Sequence, residues 1–125
     1  MTDYEFFVAH LRFVAGKMDR STPEIAAMAA GLTQVADDIE ETGRLTVAGD
    51  QLRVTARGLA GLAGFLQDRI LPEAVAARNK AGERQVRWVI DTSMALMATL
   101  MTRAETEASL EPVTLDLPPP PSVPK

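Results

Sequence analysis

Residues 21–43, STPEIAAMAAGLTQVADDIEETG, carry their own start and stop signals. Ser21 or Thr22 can cap the free N–H groups of a first turn, Pro23 suits the first helical position, and Glu24 suits the positive end of the helix dipole. Ile25, Met28, Leu32, Val35 and Ile39 then recur at intervals of 3, 4, 3 and 4, the narrow seam of a coiled-coil-like helix. Gly43 can take the left-handed conformation that ends such a rod. About 20 helical residues make a rod of about 30 Å. A rod of that length with one apolar seam needs other helices to cover it.

The rest of the chain supplies them. A first helix is expected over about Thr2 to Asp19, with Phe7, Leu11, Val14 and Met18 as its core stripe and Tyr4, Val8 and Ala15 widening it. A third is expected over about Val47 to Ile70, with Leu52, Thr55, Leu59, Leu62, Leu66 and Ile70 on one face. Gly58, Gly61 and Gly64 lie beside that stripe. Each interior glycine costs about 1 kcal/mol of helix propensity relative to Ala, a cost that close packing on several sides offsets. Pro72 is expected to break or kink the chain, with one or two further turns before Gly82. A last helix is expected over about Glu83 to Leu110, with Val86, Ile90, Met94, Met97 and Met101 as its stripe and Val89, Leu96 and Leu100 beside it.

The composition changes at Pro112. Six of the eight prolines fall in PVTLDLPPPPSVPK, and the four-proline run cannot join a helix. The sequence therefore predicts an all-α protein: an antiparallel bundle of about four helices over residues 1–111, and a Pro-rich, extended, flexible tail over 112–125. Aromatics are only 5% of the chain and alanine is its commonest residue, so the core is built from small and aliphatic groups.

The chain has no cysteine, which excludes disulfides, thiolate catalysis and thiolate metal sites. The acidic start, Asp3 and Glu5, is unlike a secretory signal, and the longest apolar stretch, GLAGLAGFL, is far short of a membrane span. These features predict a soluble, cytoplasmic protein. The net charge of −4 sets the whole-molecule field against a dedicated duplex-DNA binder.

Three of the four phenylalanines lie within FFVAHLRFV, residues 6–14. Phe7 belongs to the core stripe. Phe6 and Phe13 share another side of the helix, about 20° apart around its axis. His10 and Lys17 lie between the two faces. Two large aromatics on one such side point to a second layer or a second chain, because aromatics are enriched at interface centres. Phe6, His10, Phe13 and Lys17 are accordingly a candidate partner-binding face. The tail is a second: Leu115 and Leu117 in VTLDL suit strand addition to a sheet edge, and Pro118, Pro119 and Pro120 suit docking on an aromatic surface.

Charged clusters have simpler readings. Asp37, Asp38, Glu40 and Glu41 stack at a helix C-terminus with no Gly-turned calcium loop around them, so a solvated face or a dock for basic groups outweighs a metal site. Arg78, Lys80, Arg84 and Arg87 form a basic patch that suits nucleic acid or an acidic partner; pairing with the DDIEE acids, in the same or another subunit, is the simpler alternative. Trp88 beside them suits base stacking or, more simply, packing. The Met94/Met97/Met101 row suits an adaptable binding surface or, more simply, core filling. His10 is the only imidazole, so a His/Cys metal cluster is impossible and a catalytic triad has one ring to draw on.

No nucleotide loop, nucleophile elbow, zinc motif or dinucleotide fingerprint is present. The sequence predicts no cofactor, no metal and no enzyme, but a helical adaptor or scaffold that self-associates and docks a larger protein, with its tail as a candidate docking element. A small-molecule sensor is disfavoured by glycine-rich close packing. Over about residues 45 to 125, antiparallel helix pairs followed by a tail resemble the oligomerising core of phage-type small terminase subunits. That architectural resemblance implies, as the alternative, an oligomeric DNA-packaging or nucleic-acid-associated regulatory subunit.

Overall fold

The computed structural model describes residues 3–106 and 112–118. Among the described residues the fold is all-α apart from two short strands. Helix α1 spans Asp3–Lys17 and α2 spans Pro23–Thr42. Strand β1, Arg44–Val47, and a single 3₁₀ turn, Gly49–Gln51, lead into α3, Leu52–Phe65. Helices α4, Leu71–Ala76, and α5, Lys80–Thr106, follow, and strand β2, Val113–Asp116, closes the order.

Helix α2 starts and stops as its sequence dictates. The Thr22 side chain accepts a hydrogen bond from the Ile25 N–H, and Gly43 adopts φ 75° while its own N–H bonds the Ile39 carbonyl. The core stripe of α1 is equally direct: Phe7 and Leu11 are fully buried and Val14 nearly so.

Helices α2 and α3 approach closely through two small residues set across from each other. A Cβ at Gly31 would stand 2.7 Å from Thr55 Oγ1, and a Cβ at Gly58 would stand 3.0 Å from Leu32 Cγ. Gly61 and Gly64 have nothing within 4 Å of such a Cβ, so of the three glycines in the α3 pattern only Gly58 serves close packing. Helix α3 is the central rod, touching α1, α2 and α5.

Four sequence expectations need correction. The third helix does not begin at Val47. Residues 44–47 form β1, because Leu45 and Val47 alternate with Arg44 and Thr46 and bury one face of a strand. Of the two outcomes expected at Pro72, a break or a kink, the chain does not break but is distorted just before it. Residues Leu66–Ile70 widen into a π turn, in which the Leu71 N–H bonds the Leu66 carbonyl five residues back, and α4 continues from it with Pro72 in its first turn. A widened turn re-registers the ladder so that the missing proline N–H leaves no gap. The next correction concerns α5, whose core row is Val86, Val89, Ser93, Leu96 and Leu100. The Ile90, Met94, Met97 and Met101 row sits to one side of it, with Met94 43% exposed. A serine in the middle of the true seam breaks its apolar pattern, and the uninterrupted neighbouring row reads as the stronger stripe. The fourth concerns the tail, which does not begin at residue 112. Val113–Asp116 pair antiparallel with β1, Leu115 opposite Leu45 and Val113 opposite Val47. Val113 is buried and Leu115 and Leu117 pack against the core, so these residues belong to the folded domain. Pro119 and Pro120, with the rest of the four-proline run beyond Pro118, lie outside the described residues.

Candidate functional site

The outer face of α1 divides in two. Phe6 is half-buried against the core, and its ring lies 4.3 Å from the His10 ring. His10 Nδ1 stands 3.0 Å from the Phe6 carbonyl oxygen. A carbonyl can only accept, so Nδ1 carries the proton and donates. One turn further on, Phe13 is 46% exposed. Its ring lies 5.5 Å from Phe65 of α3, and Lys17 Nζ sits 5.4 Å from its centroid. A cation over an aromatic face contributes about 0.5–1 kcal/mol at an exposed site.

The structure therefore separates the two aromatics that the sequence placed together. Phe6 and His10 form a half-buried pair, while Phe13, Lys17 and Phe65 form an outward cluster. Phe65 was missed by sequence reasoning. Its only signal was that it is the fourth phenylalanine, standing outside the α3 leucine stripe.

The acidic cluster is largely engaged within the subunit. Arg12 of α1 stands 2.9 Å from Asp37 and also bonds Glu40. These two hydrogen bonds, Asp37 first, raise the Arg12 pKa above its ordinary value. Asp38 accepts from Gln34 Nε2 at 2.9 Å and from the Thr46 N–H at 3.1 Å. On the side of β1 away from β2, Asp38 and Thr42 thus satisfy the Thr46 and Arg44 N–H groups. A helix end closes what would otherwise be an open sheet edge.

The basic patch has a different surrounding from the one expected. Arg78, Lys80, Arg84 and Arg87 are all exposed around the start of α5. Arg78 has φ 57°, the left-handed turn that lets Asn79 cap α5 by accepting from the Gly82 N–H. Arg87 pairs with Glu83 one turn back at 3.0 Å. Arg12, rather than this patch, serves the DDIEE acids within the subunit. Among the described residues, Arg78, Lys80 and Arg84 make no ion pair. Trp88 is taken up by packing, 5.8 Å from Tyr4 and edge-on to Phe7 at 5.9 Å.

A cleft of about 270 Å³ lies between α2 and the β1–α3 connection, lined by Gly31, Gln34, Thr46, Gln51 and Thr55 among others. The sequence reading did not anticipate it, because β1 forms its wall. Among the described residues, no group of three or more His, Cys, Asp or Glu side chains is placed to hold a metal ion. No described helix is long and apolar enough to cross a membrane. Comparison with models of known protein families, with curated proteins and with solved structures gives no match.

Proposed function

We propose that this chain is a non-enzymatic helical adaptor or scaffold that self-associates and docks a larger protein partner. The observation that carries the proposal is the outward aromatic cluster. Phe13 keeps 46% of its surface exposed although the bundle core beneath it is complete. Together with Phe65 and Lys17 it offers apolar area with a charged rim, the composition of an interface centre. Met94 and Val75 add exposed apolar area elsewhere.

The Pro-rich segment beyond Pro118 is the proposed docking element for the larger partner. β2 is already paired with β1 along one edge, which leaves the prolines as the proposed contact and the other edge of β2 as a second place for strand addition. The catalytic alternative has one imidazole to work with, and its Nδ1 is spent on a carbonyl of its own helix.

The test is solution mass across a range of concentrations, on the full chain and on Phe13→Ser. Association of the full chain that weakens in the variant supports the reading. A monomer at every concentration overturns self-association. For docking, a chain ending at Pro118 should lose the protein that the full chain captures from its native source; capture of the same protein by both removes the tail's role.

A further inference from the structure

Helix α5 carries two apolar rows of heptad character; one is fully buried, and the other packs against the core by Ile90, Met97 and Met101 while leaving part of its surface, Met94 above all, exposed. Val86, Val89, Ser93, Leu96 and Leu100, at intervals of 3, 4, 3 and 4, are buried against the rest of the fold. Ile90, Met94, Met97 and Met101, at intervals of 4, 3 and 4, lie about 90° further around the helix. Met94 is 43% exposed and the other three are half-buried.

The spacing 4, 3, 4 is the same read in either direction. A two-fold-related copy of α5 laid antiparallel on this row sets Ile90 against Met101 and Met94 against Met97, with the axis passing between Ala95 and Leu96. The charges fit the same register. Arg87 and Glu105 lie on one flank of the row, both about 60° from Ile90. Same-flank residues meet across an antiparallel pair, so Arg87 of each copy stands beside Glu105 of the other. In a parallel pair that flank turns away from its copy and the match is lost.

Both charges have capacity to spare. The Arg87 side chain is 55% exposed despite its contact with Glu83, and a guanidinium has five N–H donors. Glu105 is exposed and makes no ion pair among the described residues. Antiparallel alignment also opposes the two helix dipoles favourably. Methionine suits such a seam, because its flexible thioether fills the gaps of a small contact.

We propose that the partly exposed row of α5 is a self-association surface in its own right, separate from the aromatic cluster of α1, and that its occupant is α5 of a second copy of this chain, antiparallel about a two-fold axis. The proposal rests on the self-association reading above and goes further by assigning the surface, the partner element and the direction.

The experiment uses the full chain, whose lack of cysteine allows single labels. Nitroxide is placed on Cys introduced by Ala98→Cys or by Arg84→Cys, both exposed positions, and distances between copies are read by pulsed electron paramagnetic resonance. In an antiparallel pair the axial separation grows by about 3 Å per residue from the centre, to about 7 Å at position 98 and about 35 Å at position 84. A short distance at 98 with a long one at 84 supports the proposal. In parallel, Arg87→Glu should weaken association by about ten-fold or more, and Arg87→Glu with Glu105→Arg should restore it. Similar distances at both positions, or association that survives Arg87→Glu and Met94→Glu but is lost in Phe13→Ser, overturns this surface while leaving self-association standing. A monomer under all conditions overturns both.

Discussion

Gly31 and Thr55 set how near α2 and α3 can come. Thr55 is buried, so moving its hydroxyl away from an added methyl group means a rotamer change within a packed seam. Gly31→Ala should therefore destabilise the fold by about 1–3 kcal/mol in a urea titration, despite the better helix propensity of alanine. Thr55→Ala in the same chain should recover part of the loss, the coupling expected of residues in contact. Gly61→Ala is the control. It meets open space on an exposed face and should stabilise by about 0.5–1 kcal/mol. Ser93 is the other residue at odds with its surroundings. Its hydroxyl is buried and bonds nothing among the described residues. Ser93→Ala removes that desolvation cost and should raise the melting temperature, by the equivalent of about 1 kcal/mol.

Among elements, β2 ties residues 113–116 to the helical part of the fold. It lies against β1 through the Thr46–Thr114 hydroxyl contact at 3.0 Å and the Arg44–Asp116 ion pair. Its apolar side, Val113 and Leu115, closes over the core. A chain ending at Pro118 should melt as the full chain does. A chain ending at Pro112 bares Leu45 and Val47 and should lose about 2–4 kcal/mol, measured by chemical denaturation. The helices of this architecture were legible because each has a punctuated, periodic sequence; α2 begins and ends at the residues its caps specify. The pairing of the two strands was not. The alternation of VTLDL did read as strand-forming, but as a strand for another protein's sheet; the four residues of β1 are too few to stand out, and β1 exists only because β2, far along the sequence, supplies its partner. The π turn was equally hidden, since proline announces a break and only the surrounding packing decides whether the helix absorbs it.

At the scale of the whole molecule, the aromatic cluster on α1 and the methionine row on α5 are separate surfaces. Phe13→Ser removes an exposed ring, so it should leave unfolding free energy within about 0.5 kcal/mol of the parent. A change in association without a change in stability would place Phe13 at an interface between chains. The sequence by itself determined the helical class, the span of α2 and the core stripes of α1 and α3, because local periodicity and capping act within a few residues of one another. Tertiary structure alone decided which row of α5 faces inward, which aromatics remain outside and that residues 113–116 pair with β1. Those outcomes depend on surfaces that meet only after the chain has folded, and a stripe does not record which neighbour will cover it.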